Sequence, residues 1–157
     1  MIVVGYQGIG KSTIAGRDHR FIDLESSIFR IDGERAADWY KTYCKIAEHL
    51  SKQGYIVFIS SHKIVREYLL NSIADFIVLV YPSVELKDSW IEKLERRYSN
   101  SHLDKDYRAL MNAKERYEEN IRELENCECS YKIELTRMDY DLESVIIHIR
   151  NMVETKQ

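Results

Sequence analysis

The run Gly5-Tyr6-Gln7-Gly8-Ile9-Gly10-Lys11-Ser12 places glycines ahead of a lysine and a hydroxyl residue in the spacing G-x-x-x-x-G-K-[ST]. Glycines at positions 5, 8 and 10 let a backbone curl into a concave nest whose N–H groups converge on phosphate oxygens, because no Cβ obstructs the curl. A helix that starts near Lys11 adds its positive end. Lys11 then reaches the β- and γ-phosphates of a nucleoside triphosphate, and the Ser12 hydroxyl ligates the Mg2+ that bridges them. Gly8, Ile9, Gly10, Lys11, Ser12 and Thr13 are therefore predicted to bind nucleotide, with ATP and Mg2+ as cofactors.

A second group of chemically able residues follows in Phe21-Ile22-Asp23-Leu24-Glu25-Ser26. In an extended segment Asp23 and Glu25 point the same way, so both carboxylates can face one cleft. An acid there either holds Mg2+ or accepts a proton from an attacking hydroxyl. Arg30, Asp32 and Arg35 are candidates to hold an anionic acceptor, or else surface charges. Ser60-Ser61-His62 offers two alternatives: contact with substrate, or a His62 cap on the helix of Ile64, Tyr68 and Leu69.

These residues need a frame, and hydropathy supplies one. Short β-branched runs at Ile2–Val4, Phe21–Leu24 and Tyr55–Ile59, the run from Asp75 to Tyr81 that stops at Pro82, and a weaker run at Tyr131–Leu135 read as five strands. Their apolarity is continuous and not alternating, which suits a parallel sheet covered on both faces. Between them, Trp39, Tyr43, Ile46, Ala47 and Leu50 mark a helix that ends at Gly54. Leu86, Trp90, Ile91, Leu94 and Tyr98 mark another with Ser83 as its N-cap, and two more run over about 104–125 and 142–153. Strand and helix in alternation predict an α/β domain with its ligand site at the carboxyl ends of the strands. Tyr40, Tyr43, Tyr68 and Tyr117 fall at helical spacing and are assigned to packing.

The phosphate loop and the Asp23-x-Glu25 pair resemble the small P-loop kinases of the nucleoside monophosphate, shikimate and gluconate kinase group. The resemblance implies a three-layer α/β/α P-loop NTPase fold with a five-stranded parallel sheet in the order 2-3-1-4-5 and a helical lid. It implies Asp23 in the magnesium shell beside Ser12, and Glu25 at the acceptor's hydroxyl. The lid would be the segment 95–117, where Arg96, Arg97, Arg108 and Arg116 flank the polar turn Ser99-Asn100-Ser101-His102. Arg97 is the first choice to neutralise charge on the transferred phosphoryl group, and Arg96 the second. Thr136-Arg137-Met138-Asp139 occupies the place where relatives hold the adenine base, so Arg137 joins the nucleotide set. Two departures stand out: nine residues separate Ser12 from Ile22, room for a first helix of about two turns, and Ser60-Ser61-His62 replaces a glycine-rich stretch. The second implies a different acceptor.

Composition narrows the reading further. In 157 residues, 45% are hydrophobic and only 1 is proline, enough to fold as one domain over 1–157. With 23 Lys+Arg against 26 Asp+Glu the net charge is −3, too little positive field for duplex nucleic acid. The longest apolar run is far too short to span a bilayer, and the three cysteines are odd in number and lack zinc-site spacing, so a cytoplasmic, reduced protein is expected, as monomer or homodimer. The leading expectation is a kinase of a small acceptor, a nucleoside or deoxynucleoside monophosphate first. Asp23, Glu25, Arg30 and His62 are the residues expected at that acceptor; the alternatives are a metabolite or nucleic-acid hydroxyl as acceptor, or a nucleotide-sensing switch, although no Asn-Lys-x-Asp stretch is present.

Overall fold

The computed structural model describes residues 1–154. Five strands, β1 (Ile2–Gly5), β2 (Phe21–Asp23), β3 (Ile56–Ser60), β4 (Ile77–Pro82) and β5 (Tyr131–Leu135), form one sheet in the order 2-3-1-4-5. Every pairing is parallel. Helices α1 (Lys11–Ala15), α2 (Trp39–Lys52), α3 (Lys63–Ser72), α4 (Lys87–Ser101), α5 (Asp104–Glu125) and α6 (Leu142–Glu154) complete a three-layer α/β/α architecture. Among the described residues no helix is long and apolar enough to cross a membrane.

The order follows from burial. Ile2, Val3 and Val4 leave almost nothing exposed, so β1 must be covered on both faces and bonded on both edges. It is: Val3 lies opposite Phe58 of β3 on one side and Val78 of β4 on the other. β5 is the reverse case, a sheet edge whose residues are mostly exposed apart from Leu135, which explains its weaker apolar signal. Tyr43 and Tyr117 are fully buried, and Tyr40 packs edge-on against Tyr68 at 5.5 Å, as the helical spacing predicts. The three cysteines are free thiols.

Several boundaries differ from the sequence reading. β4 runs on to include Pro82, which has no N–H to give, so the next N–H, that of Ser83, donates to the Leu135 carbonyl at 2.8 Å; β2 stops at Asp23, although the Leu24 N–H still donates to the Phe58 carbonyl at 2.9 Å. α1 has five residues, shorter than the two turns expected. Ser83 does cap, but it caps a short 3-10 turn at Val84–Leu86 that leads into α4. The polar stretch Ser99-Asn100-Ser101 remains helical; the chain reverses only at His102, in left-handed backbone at φ 53. α5 departs from helical geometry at Arg116 (φ −135, ψ 19).

Candidate active site

The carboxyl ends of β1, β2 and β3 lie side by side, because Gly5 is in register with Ser60 and Asp23 with Phe58. They open onto a cleft of about 1110 Å3 that is closed on its far side by residues of α4 and α5.

The phosphate loop lies between β1 and α1. Gly8 and Gly10 take φ of +86 and +107, where a side chain is strained. A Cβ on Gly8 would also stand 3.0 Å from Leu94 Cδ2 and 3.1 Å from Trp90 Nε1. Gly5 has a different reason: its backbone is ordinary, but a Cβ would collide with the Ile9 side chain. From behind, the Trp90 indole N–H donates to the Gln7 carbonyl at 2.9 Å and the Tyr140 hydroxyl to the Ile9 carbonyl at 2.8 Å. In a trans peptide the C=O and the following N–H point in opposite directions. The N–H groups of Gly8 and Gly10 are thereby turned away from those aromatics and toward the cleft. With α1 only five residues long, these oriented amides are the groups with which the loop could hold an anion.

Lys11 folds over the loop, donating to the carbonyls of Gly5 at 2.9 Å and Tyr6 at 3.3 Å. Burial lowers its pKa to about 8 against the pull of Asp23 and Glu25, with Arg97 adding to the depression. The Ser12 hydroxyl donates to Asp23 Oδ2 at 2.5 Å, so a hydroxyl and a carboxylate stand together at the loop's exit. Thr13 is next to them and exposed. Those two hard oxygen ligands fit Mg2+, which takes few protein ligands and completes its shell with phosphate and water. Among the described residues no three His, Cys, Asp or Glu gather as a protein-only metal cage.

Two residues on, Glu25 accepts from Lys105 Nζ of α5 at 2.9 Å and from the Ser27 hydroxyl at 3.3 Å. Burial raises its pKa, but Lys105, Ser27 and Lys11 together hold it below the ordinary carboxylate value.

Beyond Glu25 the cleft becomes cationic. Arg35 donates to the Ser26 carbonyl and hydroxyl, both at 3.0 Å, and its guanidinium lies 4.1 Å from the Trp39 ring centroid. Its Nε is buried without a hydrogen-bond partner. Desolvation lowers the Arg35 pKa, and repulsion from Arg30 and Arg108 adds to that. Arg30 donates to Gly33 at 2.7 Å, and Arg66 is buried between the Ser61 carbonyl and Glu123. His62 occupies the N-cap position of α3 but makes no side-chain cap bond; its ring lies edge-on to Trp39 and lines the cleft. Desolvation, then Arg35, Lys11, Arg30 and Arg66, push its pKa down to about 4.

Of the arginines expected in the lid, Arg97 lines the cleft and lies 2.6 Å from Asp106 Oδ1, an ion pair whose angles fall short of a hydrogen bond. Arg108 and Arg116 also line it, paired with Asp104 and Glu119. The cleft does not gather Arg96 or Arg137. Arg96 points to solvent, a third of a helical turn from Arg97, and Arg137 forms an exposed 2.7 Å pair with Asp139. Lys93, Lys105, Arg66 and Gln7 are the cleft residues that sequence reasoning missed. Only Lys93 had a signal: it is four residues before Arg97 and so on the same helical face. It donates to the Tyr140 hydroxyl at 2.9 Å, and burial, then Arg97 and Arg96, lower its pKa to about 8.

A parallel sheet in the order 2-3-1-4-5 with this loop after its central strand is the three-layer P-loop fold. No family model matches the chain, and no curated protein matches it in sequence. Solved structures do share its fold. The tunicamycin resistance protein of Deinococcus radiodurans superposes with a TM-score of 0.60 at 16% identity, over 97% of this chain and 94% of that one. Shikimate kinase of Bacteroides thetaiotaomicron does so with a TM-score of 0.50 at 13% identity, over 98% and 96%.

Proposed function

We propose that this protein is a kinase that uses ATP and Mg2+ to phosphorylate a small anionic acceptor, with nucleoside and deoxynucleoside monophosphates as the first candidates. One observation carries the reading: the cleft is lined by two groups of cationic side chains, Lys11 at the phosphate loop and Arg30 and Arg35 beyond Glu25, with His62 beside the arginines. A switch that only hydrolysed nucleotide would have no use for the second group. The fold shared with a shikimate kinase supports the same class.

In this reading the Gly8 and Gly10 amides and Lys11 hold the donor phosphates, and Ser12 and Asp23 would hold Mg2+, which would supply neutralisation of phosphate charge. Arg35 and Arg30 seat the acceptor's anion, and Arg97 meets the charge that develops on the transferring oxygens. Transfer then needs positioning more than covalent chemistry by the protein. A second reading, an anionic metabolite phosphorylated on a hydroxyl, is favoured by Glu25. A carboxylate can take the proton of an attacking hydroxyl, whereas a phosphate acceptor has none to give at neutral pH.

The test is transfer of label from γ-labelled ATP to a panel of nucleoside monophosphates, hydroxy acids and a short oligonucleotide. Transfer to one acceptor class is expected, lost in Lys11→Ala and on chelation of Mg2+. Full activity of Lys11→Ala, or hydrolysis that no acceptor stimulates, overturns the assignment.

A further inference from the structure

Glu25 lies just past β2, and among the described residues the ammonium bonded to it comes from a residue 80 positions later in the chain. Lys105 belongs to the first turns of α5, and the residues four and seven positions on, Ala109 and Asn112, share its face of the helix. That face is also tied to the phosphate loop: the Gln7 side-chain amide donates to the Ala109 carbonyl at 2.8 Å and to Asn112 Oδ1 at 3.3 Å. Beyond the irregular residue Arg116 the helix is anchored in the core by Tyr117, which is buried and donates to the Ser83 carbonyl at 2.8 Å. One helical face therefore reaches from the donor loop to the carboxylate on the acceptor side.

Resting on the kinase reading above, we infer that Lys105 is a positioning residue: its ammonium holds the Glu25 carboxylate aimed at the acceptor, at a place set by the phosphate loop through Gln7. A glutamate has three rotatable bonds, and Glu25 is only half-buried, so burial alone does not select one rotamer. The Lys105 bond at 2.9 Å and the longer Ser27 bond do. The acceptor then meets a carboxylate already in place, and the order of that carboxylate depends on whether α5 is seated on the donor loop.

The experiment compares Lys105→Met, Lys105→Arg, Glu25→Gln and the double variant Lys105→Met with Glu25→Gln, with Lys11→Ala as the control for phosphoryl transfer. Lys105→Met is expected to lower kcat/KM for the acceptor by about 10- to 100-fold, the scale of a misplaced reacting group. KM for ATP should stay within about twofold, and Lys105→Arg, which keeps a donor, should recover most of the loss. The double variant should be no slower than Glu25→Gln alone, because the lysine acts only through that carboxylate. Independent effects in the double variant, or no rescue by arginine, overturn the inference. Amide hydrogen exchange of the same proteins separates it from the kinase reading. Lys105→Met and Glu25→Gln should each speed exchange over 108–112 and leave 117–124 unchanged, whether or not any acceptor is phosphorylated. Unchanged exchange at 108–112 in both overturns the contact itself.

Discussion

Tyr43→Phe removes one oxygen atom and isolates one structural claim. The Tyr43 ring is fully buried, and its hydroxyl donates to the Leu24 carbonyl at 2.6 Å while accepting from the Ser60 N–H at 2.9 Å. It therefore bolts the end of β2 to the end of β3, at the point where Asp23 and Glu25 leave one strand and Ser61 and His62 leave the other. Burial pushes its own pKa well above the usual phenol value, so the hydroxyl keeps its proton at any working pH. Phenylalanine fills the same space and leaves no cavity, but it strands a carbonyl and an N–H. Each stranded group costs about 1–3 kcal/mol, and because cleft water reaches part of the site the sum is about 2–4 kcal/mol. At roughly 2–4 °C per kcal/mol for a chain of this size, the melting temperature should fall by about 4–16 °C. Urea unfolding should show a lower midpoint with an unchanged slope. Acceptor kcat/KM should fall while ATP affinity holds, since the phosphate loop is braced by other residues. A stability within about 0.5 kcal/mol of the parent, the range of an inert surface change, would refute the bolt and leave the strand ladder alone to hold these ends.

Three further perturbations test other parts of the site. Gly8→Ala forces a side chain into left-handed backbone, costing about 1–2 kcal/mol, and drives it against Leu94 and Trp90, so calorimetry should show ATP affinity reduced at least about tenfold; unchanged affinity would mean the nest does not hold phosphate. Arg97→Ala should lower kcat by about 1,000-fold with little change in ATP affinity, the scale of a phosphoryl-neutralising arginine, and a loss under about tenfold would move that role to another residue. His62 has its pKa depressed from 6.5 to about 4, so the unfolded chain takes up a proton that the folded one refuses. Its contribution is whole above pH 6.5 and is lost as pH falls toward 4. Thermal melts of His62→Gln should be flatter than the parent across that window, and parallel curves would show that His62 is not held neutral.

Much of this was legible in the residues. Ile2–Val4 and Ile77–Tyr81 are apolar without alternation because both faces of those strands are covered, and that burial pattern is written directly into composition. The choice between Arg96 and Arg97 was also within reach: Arg97 follows Leu94 by three and Trp90 by seven, on the buried face, whereas Arg96 turns away from it. The stretch Ser99-Asn100-Ser101 misled, since three poor helix formers read as a turn. The helix continues through them because Ser101 is wanted there: its hydroxyl donates to the buried Asp106 at 2.6 Å and accepts from the Leu103 N–H.

The phosphate loop needed nothing beyond its own order of residues, because its chemistry comes from adjacent backbone amides and from Lys11 and Ser12 within it. The Asp23 and Glu25 pair needed only the period of a strand. The cationic half of the cleft is different in kind. Arg30 and Arg35 come from the segment after β2, Arg66 from α3, and Lys105 and Arg108 from α5, so no spacing along the chain reveals that they line one cleft. Tertiary packing decides that, since a Coulomb interaction depends on distance in space and the fold alone sets those distances. The sequence therefore determined the loop proposed to hold phosphate, and the tertiary structure decided that arginines from distant segments gather in the same cleft.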